Sequence, residues 1–143
     1  MRNARRVILL AGLLLAAAAV SGCEPKTDVT GQWVAFVTWE VGDSLEGAPT
    51  TLTMSLQQNQ LVLDGSVHLI ADFMDLSMPI VEGTVGRGYF YIDSAGTAQG
   101  SGTSYAIFLS LDGEASGNSL EGSGILTVNG VEHHFEWSAR RSS

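Results

Sequence analysis

The 143-residue chain carries 15 acidic and 7 basic residues, a formal net charge of −8, and a single cysteine. One cysteine excludes a disulfide-stapled scaffold. An acidic balance with no basic stripe excludes a nucleic-acid partner, because nothing is present to displace phosphate counterions.

The first element is an N-terminal signal. Arg2, Arg5 and Arg6 precede an almost pure Leu/Ala/Val run over residues 7–20, and Val20-Ser21-Gly22-Cys23 closes it. The run is too short to cross about 30 Å of hydrocarbon as a helix, and a basic head with a small-residue tail is the layout of an export signal. From the residues alone, a membrane helix or an ordinary cleaved signal remain alternatives. A signal that ends small-small-Cys resembles the lipobox of bacterial lipoproteins. The resemblance implies a signal peptide over 1–22 and lipidation of Cys23, which would become the first mature residue and carry two or three acyl chains such as palmitate. At about 0.8 kcal/mol per buried methylene, more than one chain makes attachment effectively permanent. It places the domain on the cell envelope, in the periplasm or at the surface. Glu24, where an aspartate would retain the protein in the inner membrane, favours the outer membrane.

Beyond residue 22 the balance sharpens: Lys26, Arg87, Arg140 and Arg141 stand against all 15 acidic residues, four against fifteen, a net −11. Such a body is repelled by anionic headgroups, so the lipid alone would hold it at the membrane. Residues 23–30 form a tether, and one domain follows over 31–141.

No sustained 3.6-residue apolar period follows. Period-two alternation with Gly/Asn/Asp punctuation predicts eight strands, over 31–39, 51–57, 61–70, 80–85, 89–92, 105–113, 120–128 and 131–139. In the second strand Leu52, Met54 and Leu56 share a face opposite Thr51, Thr53 and Ser55. In the last, Phe135 and Trp137 oppose Glu132, His134 and Glu136. One wet and one dry face per strand indicates an antiparallel meander. Val128-Asn129-Gly130-Val131 is a two-residue hairpin signal, and Gly86-Arg87-Gly88 is a second tight reversal. Leu63-Asp64-Gly65, Val81-Glu82-Gly83, Leu111-Asp112-Gly113 and Leu120-Glu121-Gly122 repeat the pattern apolar, acidic, Gly. Glycines inside strands suit a small sheet that curls hard and closes. The expected fold is all-β: a single eight-stranded antiparallel up-and-down barrel behind the signal peptide.

The links over 40–50, 71–79 and 93–104 read as long, and the alternate ones as short. In a meander all three long loops would fall at one end, with both termini and the tight turns at the other. The Asn129-Gly130 turn is the short exception at the long-loop end.

Gly31-Gln32-Trp33, opening the first strand, resembles the Gly-x-Trp start of calycins, the superfamily of lipocalins, fatty-acid-binding proteins and avidins. The resemblance implies a basic residue late in the last strand covering Trp33, a role that falls to Arg140 as a cation–π plug. It also implies a ligand inside the barrel. The second lipocalin motif, the C-terminal helix, the usual disulfide and avidin's ligand-contacting pattern are not found in the sequence.

Eight strands enclose an interior that is either filled by side chains or holds one small ligand. The expected inward set, including Trp33, Trp39, Met54, Phe90, Phe135 and Trp137, is apolar and suits a small hydrophobic ligand lined by Trp39, Met54 and Phe90, or a plain packed core. Phe73 and Met74, with Leu76 and Met78, sit in the expected 71–79 loop. They would lid the mouth over that ligand, contact an envelope protein, or fold down as a plug. His133 and His134 are adjacent and cannot chelate one metal from a strand, and His68 stands apart, so no metal site is expected. Asp43/Glu46 and Asp72/Asp75 match no calcium loop. Gly-x-Ser-x-Gly is absent, and Gly100-Ser101-Gly102 lacks the lysine and helix of a phosphate cradle. The expectation is a binding protein with no catalytic residue and no cofactor.

Overall fold

The structure, a computed structural model, describes residues 28–142; the signal, Cys23 and most of the tether lie outside the described residues. Every regular element among the described residues is a strand: β1 (Gly31–Trp39), β2 (Thr50–Asn59), β3 (Val62–Ala71), β4 (Met74–Gly86), β5 (Tyr89–Gly100), β6 (Thr103–Ser116), β7 (Ser119–Val128) and β8 (Val131–Arg141). They form a closed barrel in sequence order. β1 pairs with β2 on one side and with β8 on the other, and all ladders are antiparallel. Closure gives every strand a neighbour on both sides, so no strand is a free edge of the kind that templates aggregation.

Inward positions follow the predicted alternation. Trp33, Ala35 and Trp39 of β1, Leu52, Met54 and Leu56 of β2, and Phe135, Trp137 and Ala139 of β8 are all buried. Each large apolar side chain taken fully out of water contributes roughly 1.5–3 kcal/mol. Leu61, the first residue of the expected third strand, lies in the β2–β3 turn and is exposed. All core members among the described residues fall between Val29 and Ala139, so a chain from residue 24 onward contains the whole of this core.

The glycines explain the tight curl. Along one inner row Phe90 pairs with Gly113, Gly113 with Gly122, and Gly122 with Trp137. A Cβ on Gly122 would lie 2.0 Å from the Asp112 carbonyl oxygen and 2.5 Å from the Gly113 Cα. The two strands pinch together where neither has a side chain. The Phe90 and Trp137 rings fill the space from either flank, with centroids 5.7 Å apart.

Two of the three expected long loops are strand instead. β4 begins at Met74 and β5 runs on to Gly100, so the links after Ala71 and after Gly100 are two-residue turns. Met74, Leu76 and Met78 do alternate with Asp75 and Ser77, but Pro79 interrupts the reading. It sits outward, just before a register irregularity between Ile80 and Glu82, a place where a strand tolerates a missing donor. In β5 the alternation is hidden because Ser94, Gly96, Ala98 and Gly100 are small. Only residues 40–49 form a long connection. The Asn129-Gly130 turn has positive φ at both residues, 49° and 86°, as its type I′ geometry requires.

At the opposite end, with both termini, Arg141 rather than Arg140 covers Trp33. Its guanidinium carbon lies 4.6 Å from the ring centroid. Strand parity decides this: Phe135, Trp137 and Ala139 point inward, so Arg141 does too, and Arg140 faces solvent. The guanidinium donates to the backbone carbonyls of Thr30 and Asp28 and to Asn118 Oδ1. The Trp33 indole donates to the Val29 carbonyl at 2.9 Å.

Candidate functional site

The end away from the termini, the rim, carries the 40–49 loop, the β3–β4 turn, the β5–β6 turn and the β7–β8 turn. The 40–49 loop folds over its β8–β1–β2 side. Main-chain turns knit it internally: Asp43 N–H donates to Glu40 O, Glu46 N–H to Asp43 O, and Ala48 N–H to Leu45 O. Leu45 and Ala48 pack down on the core. The Trp39 indole donates to Thr50 Oγ1 at 2.9 Å, and that hydroxyl donates to Ala48 O. Trp39 meets Phe135 edge-on with centroids 5.2 Å apart, and His133 at 6.3 Å.

The loop is latched by a pair that sequence separation hides. His133 Nδ1 lies 3.0 Å and 3.2 Å from the two Asp43 carboxylate oxygens. A carboxylate only accepts, so Nδ1 carries the hydrogen. Asp43 also accepts from the Leu45 amide at 2.8 Å. Burial pushes the Asp43 carboxyl up, but the Leu45 amide, the His133 hydrogen bond and the charges of His133 and His134 together hold it below its ordinary 3.8. A depressed folded pKa gives support that is complete above 3.8 and is lost as pH falls through the lower folded value. The expected result is an acid opening of the loop: below pH 3.8 the Leu45 and Ala48 amides lose protection in hydrogen exchange. Asp43→Asn removes that pH step, leaving protection lower and flat over the same range.

Across the rim from this loop lies a depression of about 320 Å³, lined by Phe73 and Met74, by Ala98 to Ser101, and by Tyr105 and Val128. Phe73 is 43% exposed, while Met74 and Tyr105 are half-buried against the core. Of the residues expected to line a ligand, Phe73 and Met74 are brought together here. Trp39, Met54 and Phe90 are 4%, 1% and 0% exposed and sit within the core. A water-sized void would leave accessible surface on its walls, and Met54 and Phe90 have essentially none. Their neighbours Leu52, Ile92, Ile107, Leu111 and Leu126 have none either.

A broader groove, about 770 Å³, crosses the outer face of β6, β7, β8 and β1. Asp112, Glu114, Glu121 and Glu136 line it beside Phe36, with no lysine or arginine among its walls. It is open to solvent and its carboxylates are spread along separate strands. No cluster of three or more metal-ligating side chains occurs among the described residues. His68 and Asp75 pair at 2.6 Å on the outer face, where an exposed ion pair contributes little. The Tyr91 hydroxyl donates to Asp93, which raises its pKa above the ordinary value of 10.0.

No protein-family model, no curated protein and no solved structure matches this chain significantly.

Proposed function

We propose that this chain is an envelope lipoprotein, held in the membrane through Cys23, whose barrel serves as a protein-interaction module that docks through its rim. The filled interior carries this reading. A carrier with the calycin mode of binding needs a cavity lined by residues such as Trp39, Met54 and Phe90, and those side chains are buried in one continuous core. What the rim offers instead is Phe73, a large apolar ring left in solvent beside a half-buried Met74. An exposed aromatic next to a flexible thioether is a frequent anchor of protein interfaces. The acidic outer groove keeps the body off anionic lipid and nucleic acid, which suits a module meeting protein. The Gly-x-Trp opening and its arginine cover remain a resemblance to calycin architecture, and the outer membrane is the site favoured by Glu24.

The test is site-specific photocrosslinking in intact cells of the native host. A crosslinker at Phe73 is expected to yield one discrete protein adduct, and one at Asp64, near the opposite end, none. Phe73→Ser abolishes adducts from a crosslinker at the neighbouring Gln99, yet shifts stability by less than about 1 kcal/mol, as expected for a partly exposed turn residue. The opposite outcome is no adduct from Phe73, together with a lipid-sized mass travelling with the 24–143 fragment in native mass spectrometry. That would restore the small hydrophobic ligand. Anchoring is tested separately: Cys23→Ala should leave the washed membrane fraction.

A further inference from the structure

The inner face of β5 changes character at Ser94. Below it stand Phe90 and Ile92; from it toward the rim run Ser94, Gly96, Ala98 and Gly100, the smallest stretch of barrel wall. The facing inward residues of β4 are Met78, Leu76 and Met74. Met78 lies in the room that Gly96 leaves: a Cβ there would sit 2.7 Å from Met78 Cγ and 3.6 Å from Leu76 Cδ2. The backbone pairing between β4 and β5 ends at Ile80 and Ser94, although both strands continue to the rim. This seam is therefore closed by side chains. Two of the three are methionines, which are unbranched and repack readily.

Ser94 lies at the foot of the seam, 2% exposed, and its hydroxyl has no hydrogen-bond partner among the described residues. A buried hydroxyl is almost always satisfied, so one left open at the end of a small-residue track marks a place for a guest atom. The top of the same track, at Met74, Ala98 and Gly100, opens into the 320 Å³ rim depression.

We propose that the β4–β5 seam is a binding slot for a slender neutral molecule: an unbranched alkyl chain whose inner end carries a hydroxyl or carbonyl oxygen, received by Ser94 Oγ. Met78 and Met74 swing aside to admit it. Slenderness follows from a track one methionine side chain wide. Neutrality follows from the walls, where Asp75 and Asp93 point outward and no cation faces in, so an ionised end would be buried without a counter-charge. The slot opens at the rim depression that also carries Phe73 and Met74, so a docked protein would cover its mouth, while its inner end at Ser94 lies within the wall.

The probe is 1-hexanol, titrated into the 24–143 fragment carrying 13C-methyl methionine. Met74 and Met78 methyls should shift saturably, while Met54, buried across the core, stays fixed. Ser94→Ala should weaken the apparent affinity about fivefold, the worth of one neutral hydrogen bond. It should melt no lower than wild type, because the free hydroxyl has no bond to lose. Ala98→Leu, with an unchanged Met54 signal reporting an intact core, should abolish the shifts, and hexanoate at pH 7 should cause none. Linear, unsaturating shifts would overturn the slot. So would equal affinity in Ser94→Ala, a lower melting point in that variant, or hexanoate binding as well as hexanol.

Discussion

Replacing Gly122 with alanine destabilises the barrel by about 3 kcal/mol or more, the scale of a core overpacking that the surroundings cannot absorb. The reason is that the new methyl meets main chain, with the Asp112 carbonyl oxygen at 2.0 Å and the Gly113 Cα at 2.5 Å. A clashing side-chain tip can rotate away; a carbonyl in a ladder moves only if the strand moves. Separating β6 from β7 here would also part the rings of Phe90 and Trp137, which meet across the two glycines. Thermal or urea unfolding measures the loss, and a drop of roughly 10 °C is expected at this domain size. Gly117→Ala is the control. Gly117 has φ near +60° with nothing within 4 Å of a Cβ, so that change costs only the left-handed backbone penalty of about 1–2 kcal/mol. Equal losses at the two positions would mean that the strand pinch is not what holds Gly122.

Arg141→Ala is the second large loss, about 3 kcal/mol, while Arg140→Ala changes stability by less than about 0.5 kcal/mol. Arg141 donates to the carbonyls of Thr30 and Asp28 and to Asn118 Oδ1, and it stacks 4.6 Å from the centroid of Trp33. A charge-assisted hydrogen bond contributes roughly 1.5–3 kcal/mol net and a cation–π contact roughly 0.5–2, and these overlap rather than add. Arg141→Lys should recover less than half, because an ammonium cannot reach three acceptors in a plane while covering a ring. Urea midpoints of the three variants decide the matter. A strong effect at Arg140 with none at Arg141 would reverse the assignment.

Most of the barrel could be read from alternation alone. Leu52, Met54 and Leu56, or Phe135 and Trp137, announce their strand and its dry face without help. The recurring acidic-Gly pairs marked the bends correctly, since Gly65, Gly83, Gly113 and Gly122 all occupy positions where a Cβ would crowd a neighbouring strand. The upper halves of β4 and β5 were illegible for physical reasons. Proline at 79 resembles a stop, and an inner face of Ser94, Gly96 and Ala98 carries too little hydrophobicity to register as buried. With the last strand expected to end at 139, the first basic residue beyond it is Arg140, whereas the parity of Phe135 and Trp137 carries on to Arg141. Asp43 and His133 are 90 positions apart, and nothing local to either foretells their meeting; only barrel closure brings the loop after β1 onto β8. Phe73 and Met74 stand out in the sequence because they are apolar within an expected loop. The same two residues flank the rim depression, now as the tip of a hairpin.

The way the arginine fork grips the N-terminal arm has a mechanical side. A pull between the arm at Thr30 and an object held at the far end of the barrel has a large component along the strands, even with the tilt that closure imposes. The ladders from β1 to β2 and from β1 to β8 then resist in shear, with many bonds strained together, and do not peel open one rung at a time. Arg141 ties the leash to the last strand as well as the first, so β8 and β1 share the strain. A leash fastened in this manner makes the barrel a stiff coupling between whatever grips one end and whatever grips the other.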